Sequence, residues 1–415
     1  MSGWEMVAVR DVADVFDGPH ATPAKTEDGP WYLSISSLSN GRFSFAQSAH
    51  LSDVDLPRWT KRVAPRPGDT LFSYETRLGE AAYWDHDVPA ALGRRMGLLR
   101  PKQGKVEPRY LAYAYLGPQF QDVIREKTLH GATVNRIPVG EMPSWPILLP
   151  QIEDQRAILG VLDAMDDLIE NNRRRVAVLE GMARAIYREW FVKFRYPGHE
   201  DVPLVDSALG LIPEGWSAGI LDDIVTVSKA SVDPATLDPE TSAVGLEHIP
   251  RQQITLDDWG KAGSQGSRKA VFEKGDVLFG KIRPYFHKVS VAPVDGICST
   301  DAIVIRPHAA HWGQAVFAAS SAEFVTHATQ TSNGTKMPRA DWKVLGKWPL
   351  TIPPTQIAES FSELARHHLA LAETLMFENR RLVAMRDLLL PKLVTGQIDV
   401  SGLDLDVLME EQVAS

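Results

Sequence analysis

The sequence predicts a mixed α/β (α+β) architecture: two similar globular domains separated by two long antiparallel coiled-coil helices and related as a pseudo-twofold internal repeat. Three observations predict it. The chain has 415 residues, too many for one compact core. Five short markers recur in the same order half a chain apart. Two long stretches place apolar residues at alternating steps of three and four.

Composition bounds the rest. Hydrophobic residues at 44% and charged residues at 23% describe an ordinary folded chain and exclude collagen, low-complexity polymers and global disorder. Apolar runs such as Trp145 to Leu149 fall far short of the roughly 20 residues a membrane helix needs. The start Met1-Ser2-Gly3-Trp4-Glu5 has neither the basic region nor the apolar core of a signal peptide, and Cys298 is the sole cysteine. A cytoplasmic protein without an internal disulfide is expected. The net charge of -9 is unevenly spread: residues 1–150 are neutral overall, 205–353 carry -2, and the remaining segments hold the other -7. Two near-neutral blocks are therefore free to present a basic face.

The markers define the repeat. Gly3-Trp4 returns as Gly215-Trp216, Gly68-Asp69-Thr70-Leu71-Phe72 as Gly275-Asp276-Val277-Leu278-Phe279, and Arg100-Pro101 as Arg306-Pro307. Trp145-Pro146 returns as Trp348-Pro349, and Asn172-Arg173-Arg174 as Asn379-Arg380-Arg381. Offsets stay between 203 and 212, so a whole module is duplicated. The predicted segments are a first mixed domain over 1–150, a helix and linker over 151–204, a second mixed domain over 205–353, a helix over 354–400 and an acidic tail over 401–415 that frays.

Within the mixed blocks, short apolar runs broken by Gly and Pro predict strands at Trp31 to Ile35, Thr70 to Tyr74, Gly97 to Leu99, Val277 to Phe279, Val289 to Val291 and Ala302 to Ile305. The first helix reads Ile158, Leu162, Met165, Ile169, Asn172, Val176, Leu179, Ala183, Ile186 and Trp190 as a seam, ended by Pro197-Gly198. The second reads Phe361, Leu364, His368, Leu371, Leu375, Glu378, Leu382, Met385 and Leu389, with Pro391 disrupting its end. Asn172 and Glu378 interrupt these seams. Each either fixes register from a buried position or faces solvent at a local irregularity. Domain, helix, domain, helix, with antiparallel helices, puts the domains at opposite ends of a pair about 50 Å long, a ruler for at most roughly 14 base pairs.

Taken together, the Gly-Asp-x-Leu-Phe blocks, the helix start Gln155-Arg156-Ala157-Ile158, the Asn-Arg-Arg midpoints and the ending Leu390-Pro391-Lys392-Leu393-Val394-Thr395-Gly396-Gln397-Ile398 closely resemble specificity subunits of type I restriction-modification systems, from Trp4 to about Ile398. The resemblance implies two target recognition domains, each reading one half of a split double-stranded DNA target. It implies helices that dock two DNA adenine methyltransferase subunits, with restriction and translocase subunits completing the complex. It places S-adenosylmethionine, ATP and magnesium on those partner chains and no cofactor or catalytic residue on this one.

Tests for chemistry within the chain point the same way. Gly275 to Ile282 matches a phosphate-binding loop until Ile282 stands where Ser or Thr should hold magnesium. The other module has Ser73-Tyr74 in place of Gly280-Lys281, as a repeated strand would. The adenine methyltransferase tetrapeptide, Asn or Asp, then Pro-Pro-aromatic, does not occur; Ile352-Pro353-Pro354-Thr355 lacks both ends of it. One cysteine and no His-Glu-x-x-His spacing leave a zinc site unsupported. His367-His368 and the Asp122, Glu126, Lys127 set read as helix surface.

Candidates for DNA contact are Arg42, Lys61, Arg62, Arg77, Arg94 and Arg95 in the first domain, and Lys261, Arg268, Lys269, Lys281, Arg283, Lys288 and Lys336 in the second. Residue type alone does not separate phosphate positioning from guanine readout, nor either from a solvated surface. His130-Gly131-Ala132-Thr133 and Asn333-Gly334-Thr335 occupy equivalent places as polar loops, or as tight turns needing glycine. Thr76 to Arg95 and Ile282 to Ser299 differ, so unlike half-sites and a non-palindromic target are expected. The rival readings are a structural adaptor whose domains bind proteins and an autonomous DNA enzyme.

Overall fold

The structure, a computed structural model, describes residues 4–39, 41–131, 134–334 and 336–398. The predicted acidic tail lies outside them. The expected architecture of two mixed modules and two long helices is observed. The chain divides into two compact units: residues up to 167 with those from 383 onward, and residues 168–382. Each unit joins one mixed module to a part of both long helices.

In the first unit, strands β1 (Ala13–Asp17), β2 (Thr70–Ser73), β3 (Ala81–Tyr83) and β4 (Met96–Pro101) form an antiparallel sheet in the order β1-β4-β2-β3. The central strands β2 and β4 bury successive residues because the sheet is covered on both faces, whereas the edge strand β1 carries Asp14 and Asp17. Phe72 and Leu99 pack among Tyr110, Tyr115 and Trp145. Their neighbours Leu71 and Leu98 face the opposite cluster, with Leu33 and Trp84. Two helices cover the first face, Pro108–Leu116 and Pro118–Lys127, each with proline where the missing N–H has no intrahelical partner to lose.

The second unit repeats the plan. Strands β5 (Val225–Val227), β6 (Val277–Gly280), β7 (Val289–Val291) and β8 (Ala302–Pro307) run in the order β5-β8-β6-β7, with Val277, Phe279 and Ile305 on one face and Leu278 and Val304 on the other. Helices Trp312–Ala319 and Ala322–Gln330 cover it, the latter capped by the Ser321 hydroxyl, which accepts from the Phe324 N–H at 3.1 Å. The modules' opening and closing markers are two sides of one ladder: Glu5–Ala8 pairs with Pro146–Leu149, and Ser217–Ile220 with Pro349–Ile352. The glycine-initiated strand Val277–Gly280 sits inside a sheet and leads into a Pro284 turn, so it lacks the strand-to-helix geometry a phosphate loop needs.

The first long helix spans Ile152–Tyr187 and closes in a π-helical turn at Arg188–Val192. It ends earlier than the predicted Pro197-Gly198 because Phe194 turns left-handed (φ 58°) and the Arg195 N–H returns to the Glu189 carbonyl at 2.7 Å. The second spans Thr355–Leu393 and runs through Pro391, correcting the expected break there. A proline this close to the terminus removes one ladder bond only. Gly396 then takes φ 69°, and a Cβ there would lie 2.9 Å from the Trp4 ring.

The first seam holds as predicted, with Ile158, Leu162, Ile169, Val176 and Ala183 buried. In the second, Phe361 and Leu375 are buried as predicted, but the alternate positions are displaced by one. Leu371 and Met385 are 45% and 51% exposed and Glu378 is also exposed, whereas Ala358, Ala365, Ala372 and Arg386 are buried at heptad spacing. The residue at the seam is therefore Asn379. The fully buried Asn172 donates to the Asn379 amide oxygen and to Glu378, both at 3.2 Å, while the Asn379 amide donates to the Ile169 carbonyl at 3.1 Å. The same residue of each repeat meets its copy, which is the register-fixing alternative of the two. Of the predicted strands, only Trp31 to Ile35 is misplaced. The strand covers Thr26–Tyr32, and Ser34 caps a 3-10 turn that follows.

Candidate nucleic-acid interface

Each module is braced by the same ion pair, a buried aspartate held by a partly exposed arginine. Asp69 accepts from Arg100 Nε at 2.9 Å and a terminal nitrogen at 2.7 Å; Asp276 accepts from Arg306 in the same way at 2.9 and 2.8 Å. A second carboxylate bond goes to the backbone N–H of Arg66 in one module and of Glu273 in the other. Two of the repeat markers are thus partners, holding the central strands β2 and β4, and β6 and β8, in register.

Above this brace the modules diverge. In the first, the β2–β3 turn meets the loop Leu129 to Arg136, closed by bridges of Arg136 with Glu75 and Leu129. Arg95, in a left-handed conformation, pairs with Glu75 and donates to the Thr76 hydroxyl at 3.2 Å. Arg77 is held by Glu80 at 3.3 Å and reaches the Ile35 and Ser36 carbonyls. Arg94 and Arg136 are exposed with no ion pair among the described residues.

The second module places Lys281 to Lys288 at the same point. Ile282 bridges Arg339, Asn333 and Arg339 exchange backbone hydrogen bonds at 2.9 and 2.8 Å, and the Arg283 N–H donates to the Pro338 carbonyl at 2.8 Å. Lys281 and Arg339, with Lys229 and Asn333, line a concavity of about 510 Å³ beside β5 and β8. Lys336 is exposed, and Lys288 donates to the Leu246 carbonyl. Burial, reinforced by Arg251, holds the Lys288 ammonium below the usual lysine range. The two predicted polar loops do occupy equivalent places, although Ala132, Thr133 and Thr335 lie outside the described residues.

The structure brings Arg77, Arg94 and Arg95 together in one module and Lys281, Arg283, Lys288 and Lys336 in the other. The remaining candidates sit elsewhere. Arg42 is tied to Asp166 of the long helix at 3.1 Å, and Arg62 to Asp17 at 2.8 Å, beside an exposed Lys61. Lys261 pairs with Glu240, Arg268 with Ser231 and Lys269 with Ser267, all at a separate five-stranded sheet of the second module that includes Ser231–Val232, Gly260–Lys261 and Lys269–Phe272. Sequence reasoning missed Arg136 and Arg339. Their signal was present: each lies five residues after the glycine of an equivalent loop, Gly131 and Gly334.

The modules are fastened to the helices by unlike polar clamps. In the first unit, Asp166 accepts from Tyr113 at 2.6 Å, Arg386 at 2.9 Å and Arg42. Burial pushes its carboxyl up, but those donors outweigh burial and hold it below the ordinary range. In the second, the buried Glu180 accepts from the N–H groups of Ile254 and Thr255 and from the Thr255 hydroxyl at 2.6 Å. No cluster of potential metal ligands occurs among the described residues, and no helix there is long and apolar enough to cross a membrane.

Comparison with known proteins gives a consistent result. Residues 1–181 match the family model for the type I restriction modification DNA specificity domain. A type I restriction enzyme specificity subunit of Methanocaldococcus jannaschii, MjaIX, is 22% identical over 424 residues, covering 96% of this chain and 94% of that one. The EcoDI specificity subunit of Escherichia coli is 23% identical over 59% of this chain and 60% of its own. The crystal structure of a type I restriction-modification S subunit from M. genitalium shares the fold, with a TM-score of 0.53 at 13% identity over 94% of this chain and 96% of that one.

Proposed function

We propose that this chain, which matches the type I restriction-modification specificity domain over residues 1–181 and is similar to a specificity subunit along nearly its whole length, selects the DNA sequence on which a multisubunit complex acts. Each module reads one half of a bipartite, non-palindromic duplex target. The observation that carries this reading is the contrast within the repeat: one brace, Asp69 with Arg100 and Asp276 with Arg306, supports two different cationic loop sets. A shared scaffold under unlike exposed loops is what two different half-sites require.

The chemistry belongs to partners. Two adenine methyltransferase subunits dock on the long helices, since a duplicated chain offers two equivalent sites to identical partners. They hold S-adenosylmethionine, and restriction and translocase subunits supply ATP- and magnesium-dependent steps, all in the cytoplasm. In the first module Arg77, Arg94, Arg95 and Arg136 face the duplex; in the second Lys281, Arg283, Lys336 and Arg339 do. Titrating the complex of full chain and methyltransferase with target duplex at rising salt tests this. Affinity should fall log-linearly with salt, losing about 10³-fold or more between 50 and 200 mM for six or so phosphate contacts. Salt-independent binding, or methylation by the chain alone, would overturn it.

A further inference from the structure

The second module carries an exposed aromatic side chain on the turn that follows β6. The turn after β6, Lys281 to Lys288, carries Tyr285 at 52% exposure, and the adjoining loop carries Met337, also 52% exposed. They sit on neighbouring backbone, since Arg283 bonds to Pro338 and Ile282 bridges Arg339. The same turn and loop carry Lys281, Arg283, Lys336 and Arg339, the last paired with Asp301 at 3.5 Å. Two large apolar side chains among cations suit a polyanion with an apolar interior, and duplex DNA is that ligand.

The turn is also rigid. Arg283 and His287 are non-glycine residues with φ of 50° and 51°. Such conformations persist only where the surroundings over-determine them, and they gather at functional sites. Here the surroundings do so. The Phe286 and His287 N–H groups bond back to Arg283 and Pro284 at 2.9 and 2.8 Å, and the Gln252 N–H donates to the His287 carbonyl at 2.9 Å. The His287 ring bonds the Ser320 carbonyl at 3.0 Å, and the Arg251 guanidinium lies 4.3 Å over the Phe286 ring. Tyr285 rests edge-on against Phe286, centroids 4.8 Å apart, and its hydroxyl has no hydrogen bond among the described residues. A rigid support is what a side chain needs to unstack a base step instead of being pushed aside.

We propose that Tyr285, flanked by Met337, is a wedge that stacks into one base step of the half-site read by the second module, so that this half-site is selected partly by its deformability. The equivalent turn of the first module runs through Thr76, Arg77 and Gly79, with Arg77 folded back onto Glu80, and carries no exposed aromatic among the described residues; the loop beside it exposes Leu129 at 44%. This inference rests on the DNA-reading function above and adds the residue and the mode of readout.

The test uses the full chain assembled with its methyltransferase partner and duplexes bearing 2-aminopurine at each position of the target in turn. Apart from the adenines that the methyltransferases extrude, binding should raise fluorescence at a single step, in the half-site that moves with residues 205–353. Y285A should abolish the rise and cut discrimination at that step about tenfold, with M337A intermediate and the salt slope unchanged. Y285F keeps the ring and should behave as the parent. Position 285 is exposed, so folding is expected to survive, and thermal unfolding of Y285A checks it. Intact binding with no fluorescent step, or a Y285A effect spread evenly over both half-sites, overturns the wedge and leaves DNA reading standing. A Y285A complex that fails to assemble assigns the patch to a protein partner and also overturns it. A parent complex that binds no duplex removes the DNA reading itself.

Discussion

Individual side chains set the stability of the reading scaffold. Asp276 is almost fully buried and holds both Arg306 and a backbone N–H, so Asp276→Ala leaves that donor unpaired and Arg306 with Glu273 alone. A loss of about 1–3 kcal/mol is expected in denaturant unfolding, and Asp69→Ala should cost at least as much, because Arg100 then keeps only the Ala64 carbonyl as an acceptor among the described residues. Asp163 predicts a pH effect. Burial pushes its carboxyl up to about 6, although Arg109 stands 3.0 Å away, because that guanidinium also serves Asp166 and Asp167. A carboxyl raised above its unfolded value near 4 binds an extra proton in the fold between those values. Stability therefore falls as pH rises from about 4 to 6 and stays lower above. Asp163→Asn should be about 1–2 kcal/mol more stable than the parent at pH 7.5 and equal to it at pH 4. A variant less stable at both pH values would show that the Arg109 pair outweighs burial.

At the level of elements, the helices test which residues form the seam. Ala372→Leu inserts bulk into a fully buried position and should cost about 1–3 kcal/mol, whereas Leu371→Ala, at an exposed one, should cost under about 0.5. The reverse order in thermal unfolding would restore the seam predicted from apolar spacing. That spacing misleads for a physical reason: it follows the large residues Leu371 and Met385, while the positions buried in their place hold the small Ala372 and the ion-paired Arg386. Replacing Asn172 alone with Leu strands the Asn379 amide and should cost about 1–2 kcal/mol. Replacing both with Leu should recover most of that loss, read by a double-mutant cycle. Strands were the most legible elements, since a sheet covered on both faces is spelled as a short apolar run, as at Val277 to Phe279. Trp31 to Ile35 failed because Ser34 caps a turn there. In the candidate site, the equivalent loops were legible through the repeat, and Arg136 and Arg339 lay within reach of the same comparison. The partnership of Asp69 with Arg100 was not, because pairing across some 30 residues leaves no local pattern. Nor was Tyr285, whose exposure depends on two left-handed residues that no spacing announces.

Over the whole molecule, duplication is the central fact. Copies that agree in brace, sheet order and closing ladder, and differ in their exposed loops, describe one scaffold adapted twice. If the modules are independent readers, their specificities are separable. Replacing residues 205–353 with the equivalent domain of a related subunit should rewrite half of the target and leave the other half and the methylation activity in place. The most direct measurement is methylome sequencing of cells carrying the system, with the parental chain and with that exchange. The parental cells should show a bipartite motif with two unlike halves, and the exchange should change one of them. A motif that changes in both halves, or methylation indifferent to the exchange, would contradict the account.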